Sequence, residues 1–189
     1  RKMARMATRR GINWSFEVSR GDIAAELLEQ AKEADLVILG KTGWSESRTM
    51  GSTTRLVVTK ADTRVLIVQH ETRLVPSLRV IFDGSEASLR ALRSAAMLAE
   101  REIRELSVLR VAEEEERISE LRRQAAKLLR ERGLRARYRA LTEPEADQLA
   151  EAAEALDCVL VLPADVEGLA DDEMLEFLDE LDCPVMVVR

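Results

Sequence analysis

The stretch ADLVILGKTGWSESRTMGSTTRLVVTKADTRVLIV, residues 34–68, sets two apolar runs on either side of a polar loop and a short helical segment. LVILG and RVLIV are apolar without alternation, the pattern of strands buried on both faces in a helix-covered parallel sheet. Between them lies GKTGWSESRTMGST, residues 40–53, whose Gly51-Ser52-Thr53 opens a helix. The letters G-K-T suggest a phosphate-binding P-loop, which requires G-x-x-x-x-G-K-[ST]. The first glycine of that motif would fall on Asp35, and the residues that follow are the body of a strand. The segment is not a P-loop.

A different phosphate cradle remains open. Gly40 and Gly43 can adopt positive φ and bring backbone N–H groups close to an anion. Gly51, Ser52 and Thr53 stand at a helix N-terminus, where unpaired N–H groups and the dipole favour negative charge. The two hydroxyls can donate as well, and Lys41 and Arg48 add positive charge. The loop also follows the carboxyl end of a strand, where open α/β sheets bind ligands. The same residues fit an ordinary turn at Gly43 and a helix capped by Ser52 or Thr53.

Outward from this stretch, apolar runs predict strands at 12–18, 36–39, 64–68, 79–82, 106–111, 136–141, 158–162 and 185–188. Ala24, Leu27, Leu28 and Ala31 form one helical stripe behind Asp22, a plausible N-cap. Leu89, Leu92, Ala96 and Ala99 form a second. Ile118, Leu121, Ala125 and Leu128 form a third, which Gly133 is placed to end. Strand-helix alternation predicts an open α/β sheet with right-handed crossovers.

The pattern repeats. GDIAAELLEQAKEADLVIL at 21–39 matches EPEADQLAEAAEALDCVLV at 143–161, and DTRVLIVQ at 62–69 matches DCPVMVVR at 182–189. The chain therefore reads as two related α/β units, residues 1–73 and 74–189, joined near HETRLVPS. The second unit looks complete. The first lacks an opening strand and most of the next crossover, and RKMARMATRRG reads as the end of a helix whose earlier part is missing.

Composition narrows the function. Of 189 residues, 46% are hydrophobic, 34% charged and only 3% aromatic, so the core must be aliphatic. A net charge of -6 argues against a nucleic-acid partner. No apolar run is long enough to span a bilayer, and no signal-peptide pattern opens the chain, so a cytoplasmic protein with no membrane partner is expected. His70 is the only histidine, which removes most His-dependent catalysis and metal chemistry. Cys158 and Cys183 begin neighbouring strands. They could meet as a redox pair or, as expected in a reducing compartment, serve as two small hydrophobes.

The arrangement ADLVILGKTG…GSTTRLVVTKADTRVLIV resembles the universal stress protein family, whose members often bind ATP through G-x2-G-x9-G-[S/T]. RVIFDGSEASLRAL, in the second unit, resembles the family's first strand and helix. The resemblance covers nearly the whole chain and implies two tandem open parallel five-stranded sheets with helices on both faces, the first incomplete. It also implies association through the final strands, giving an intramolecular pseudo-dimer with scope for a homodimer. Its nucleotide-binding residues carry over as Gly40, Gly43, Gly51, Ser52 and Thr53, with Lys41 in a variable position beside them. The implied ligand is ATP or a related adenine nucleotide, with or without Mg2+.

Two departures qualify this. Gly43 and Gly51 are separated by WSESRTM, seven residues and not nine. In the second unit the matching segment, LPADVEGLADDEMLEFLDE, lacks GST and carries six acids and no base from 171 to 180. The second domain is therefore expected to be nucleotide-free, with Asp83, Gly84 and Ser85 serving as a helix cap. No residue reads as a nucleophile or general base, so at most slow ATP hydrolysis is expected. The alternatives are a scaffold with a vestigial loop and, more remotely, an adenylating enzyme, for which FDGSEAS lacks the doubled glycine.

Overall fold

A computed structural model describes residues 2–42, 49–69, 77–101, 105–112, 114–141, 158–166 and 171–189. Expected features at Gly43 and Arg48, and the repeated segment at 143–157, lie outside the described residues.

Seven of the eight expected strands form, as β1 (Leu36–Gly40), β2 (Arg64–Val68), β3 (Ser77–Phe82), β4 (Glu105–Val111), β5 (Arg137–Leu141), β6 (Val159–Pro163) and β7 (Val185–Val188). The helices are α1 (Lys2–Arg9), α2 (Ile23–Ala31), α3 (Ser52–Lys60), α4 (Glu86–Ala99), α5 (Glu115–Glu131) and α6 (Asp171–Glu180). Their ends follow local chemistry. Asp22 caps α2 by accepting from Ala25 N at 2.9 Å, and Gly133, at φ 69°, lets the chain turn after α5.

The strands do not divide into two sheets. They form one sheet of order β1-β2-β7-β6-β3-β4-β5, parallel throughout except where β2 meets β7. Residues 77–189 supply five of the strands, and the first half adds two to their edge. The expected open α/β class holds, with five parallel strands from the second half, and this pairing joins the two expected sheets into one for a reason visible in the sequence. RVLIV and VMVV each offer an apolar ladder that would be costly to leave as an edge. Each satisfies the other through Val65↔Val187, Leu66↔Met186 and Ile67↔Val185.

The same register sorts side chains between two cores. Leu66 and Met186 join the cluster under α4 and α5 with Phe82, Leu92, Val108 and Leu121. Val65, Ile67, Val185 and Val187 face the opposite cluster, with Val57 of α3 and Phe177 of α6. Both halves therefore contribute to both cores, and aliphatic burial across β2 and β7 makes one packed unit.

The strand expected at 12–18 does not form. Ile12, Trp14, Phe16 and Val18 alternate as a strand requires, but the segment pairs with no described strand and Phe16 is 81% exposed. Alternation specifies a face, whereas a strand also needs a neighbour to take its hydrogen bonds. Among the described residues, no helix is long and apolar enough to cross a membrane.

Candidate functional site: the loop between β1 and α3

β1 ends at Gly40, and the chain returns to that point to begin α3. Lys41 N donates to Val68 O at 2.8 Å, extending the β1–β2 ladder, while Lys41 O accepts from Gly51 N at 2.9 Å and closes the loop. Thr54 Oγ1, on a buried side chain, donates to Gly40 O at 3.0 Å. These bonds hold the N-terminus of α3 against the carboxyl end of β1 and bring Gly40, Gly51, Ser52 and Thr53 together.

Gly51 is the N-cap, at φ −63° and ψ 149°, and brings no side chain to bond the helix's first amides. The first N–H groups of a helix have no acceptor within it, so those of α3 depend on partners outside the helix. Ser52 is exposed and Thr53 half-buried. Neither Gly40 nor Gly51 has the positive φ that a left-handed turn would need. At Gly40 an added Cβ would stand 3.4 Å from Thr42 O, an ordinary van der Waals contact.

Lys41 faces elsewhere. Only 5% exposed, its Nζ donates to Asp179 O and Leu181 O, both at 2.7 Å, at the C-terminal end of α6. Burial lowers its pKa below the ordinary 10.5, an effect partly offset by Asp179, Asp182 and Cys183. A cation at a helix C-terminus complements the dipole there. Lys41 thus ties the end of β1 to the second half of the chain.

Asp179 completes the tie from the other side. Its Oδ1 accepts from Met50 N at 2.6 Å, and its Oδ2 takes a charge-assisted hydrogen bond from Arg55. Arg55 Nε also donates to Met50 O at 3.3 Å. The Asp179 carboxylate is therefore paired with a guanidinium one turn into α3. Sequence reading missed Asp179 and Arg55, because the two lie 124 residues apart and no local pattern links them.

Residues 1–69 match the model of the universal stress protein family. No curated protein matches the chain. In structure, the whole chain is similar to a universal stress protein from Archaeoglobus fulgidus, at TM-score 0.80 and 18% identity, covering 100% of this chain and 75% of that one. It is also similar to a putative universal stress protein from Pseudomonas aeruginosa, at TM-score 0.69 and 18% identity, covering 99% and 76%. The cytoplasmic domain of a prokaryotic cation chloride cotransporter follows at TM-score 0.61 and 13% identity, covering 98% and 76%. At such identities the likeness is one of fold.

In the first half the loop leads to a helix opened by glycine and hydroxyls. The corresponding helix of the second half, α6, opens instead on Asp171, Asp172 and Glu173. The turn after β3 is occupied by its own neighbours. Ser85 Oγ accepts from Ser88 N at 3.1 Å, Asp83 Oδ1 accepts from Ser85 N at 2.8 Å, and Arg117 donates to Asp83 O at 3.3 Å. Gly84, at φ 87°, lies so close under α5 that a Cβ would meet Leu121 Cδ2 at 2.6 Å and Arg117 Nη2 at 2.8 Å. These residues cap α4 and close the turn.

Proposed function

We propose that the first half is a nucleotide-binding regulatory unit, with the phosphates of ATP or a related adenine nucleotide held at the N-terminus of α3. The observation that carries this reading is the placement of Gly51, Ser52 and Thr53 at the end of β1, held there by Gly51 N to Lys41 O and Thr54 Oγ1 to Gly40 O. Backbone amides, two hydroxyls and the helix dipole suit an anion. The Asp179 charge that would repel a phosphate is balanced by Arg55. Gly43, with Gly40, belongs to the same proposed cradle, and a Mg2+ ion would accompany the phosphates. Lys41 contributes from behind, fixing the loop to α6 with its ammonium turned away from the helix N-terminus.

Binding there would be felt by the second half. The loop that meets the phosphates is bonded through Lys41 and Met50 to Asp179 and Leu181. A ligand that orders this loop shifts the junction only by its differential affinity for the two loop arrangements. The second half acts as the responding element and binds no nucleotide itself, since α6 opens on acids and the turn at Gly84 is closed.

Titration of the protein with fluorescently labelled ATP tests the reading. Saturable binding that is lost in Gly51→Glu and weakened in Ser52→Ala is expected. Gly51 has a backbone conformation open to any residue, so the glutamate adds charge without straining the chain. Absence of binding at millimolar nucleotide would leave the loop as a structural connector and the protein as a scaffold.

A further inference from the structure

Cys158 and Cys183 each stand two residues before Leu160↔Val185, the first pair of the parallel β6–β7 ladder. They therefore flank the same end of that ladder, Cys158 just before β6 and Cys183 in the bend before β7. The usual strand spacing of about 4.8 Å lies within the roughly 4.4–6.8 Å between Cα atoms that a disulfide spans. The two thiols share a hydrogen bond, and neither cysteine is in a disulfide. Their exposure differs. Cys158 is buried at 3%, whereas Cys183 is only partly buried, so Cys183 is the sulfur a reagent from solution meets first.

The surroundings add a cation. Lys41 lies within electrostatic reach of Cys183, and its ammonium is bonded to carbonyls on the segment leading into that residue. The shared hydrogen bond and burial still hold the Cys183 thiol above its ordinary pKa. Exchange at this site is therefore slow at neutral pH and accelerates as the thiolate fraction grows.

We propose that Cys158 and Cys183 form a dithiol exchange site whose substrates are low-molecular-weight disulfides. Cys183 loses its proton to solvent and attacks one sulfur of R–S–S–R, forming a mixed disulfide and expelling R–S⁻. Cys158, deprotonated in turn, attacks the Cys183 sulfur, breaks the mixed bond and expels the second R–S⁻. Both leaving thiolates take up protons. Two protein thiols are oxidised, one external disulfide is reduced to two thiols, and no other oxidant takes part. The new bond lies beside the junction of the halves, because Gln69 donates to Leu181 O at 2.7 Å and to Cys183 O at 3.3 Å. The site is independent of nucleotide binding.

The test incubates the full chain with oxidised glutathione from neutral to alkaline pH, then traps remaining thiols by alkylation for intact-mass and peptide analysis. The expected result is loss of two hydrogen masses, a cross-linked pair of peptides containing Cys158 and Cys183, release of two glutathione thiols per chain, and reversal by excess reduced glutathione. Cys158→Ser should stop at a mixed disulfide on Cys183. Wild-type protein that keeps two alkylatable thiols, or gathers only mixed or intermolecular disulfides, overturns the proposal. Those wild-type readouts stand whether or not the variant folds.

Discussion

Gln69 and Arg189 occupy the same place in the two halves, as the last residues of DTRVLIVQ and DCPVMVVR, and each donates to the end of the other half's helix. Gln69 Nε2 reaches Leu181 O at 2.7 Å, just past α6, while Arg189 reaches Val58 O at 3.2 Å and Thr59 O in the last turn of α3. The antiparallel β2–β7 pairing between them makes the exchange reciprocal. Last-turn carbonyls lack intrahelical partners, and Arg189 supplies a donor to two of them in α3, while Gln69 bonds the carbonyl just past α6.

Truncating either donor should therefore weaken the same junction from opposite ends. Gln69→Ala and Arg189→Ala are each expected to lower unfolding free energy by about 1 kcal/mol. The register places the two sites at opposite ends of the paired strands, so the double variant should be additive within about 0.5 kcal/mol. Urea denaturation of the four proteins measures both quantities.

Asp179 joins two interactions that a single substitution separates. Asp179→Asn keeps an oxygen for Met50 N but removes the charge opposite Arg55, and a loss of about 1–3 kcal/mol is expected. Asp179→Ala removes both and should cost more. Under the proposed function, the unpaired Arg55 of Asp179→Asn would also alter ATP affinity, which titration of that variant reads directly.

Lys41 gives the junction a pH dependence whose sign is fixed. Burial lowers its pKa in the folded protein below 10.5, so between the folded and unfolded values the unfolded chain holds more protons. The penalty for burying the ammonium is full below the folded pKa and is relieved as pH rises towards 10.5. Relative to Lys41→Met, wild-type stability should thus rise on the alkaline side, as denaturation midpoints across that range will show. At neutral pH, Lys41→Met leaves the carbonyls of Asp179 and Leu181 without this donor and should destabilise by about 1–3 kcal/mol.

Gly84→Ala tests the second half. Positive φ and contacts under 3 Å with Leu121 and Arg117 predict a loss of about 1–3 kcal/mol, with ATP binding in the first half unchanged. Unaltered stability would mean that α5 does not close this turn.

Local chemistry was legible in the sequence. Apolar runs located β1 to β7, Asp22 and Gly133 marked helix ends, and the GST at 51–53 marked the start of α3. What could not be read depends on distant partners. The alternation of Ile12, Trp14, Phe16 and Val18 looks like a strand, yet a ladder requires a neighbour that sequence alone does not place. RVLIV and VMVV were legible as the final strands of the two halves, and their antiparallel register, which joins both halves into one sheet, had to be read from the structure. Lys41 shows the same limit at the site. It reads as a cation beside a phosphate loop, and its partners prove to be two carbonyls 138 and 140 residues away.

The most direct test of the central claim is equilibrium titration of the folded protein with labelled ATP, alongside Gly51→Glu. The account predicts saturable binding to one site per chain, lost when a carboxylate is placed at the N-terminus of α3. Absence of binding at millimolar ATP, or equal affinity in Gly51→Glu, would contradict it.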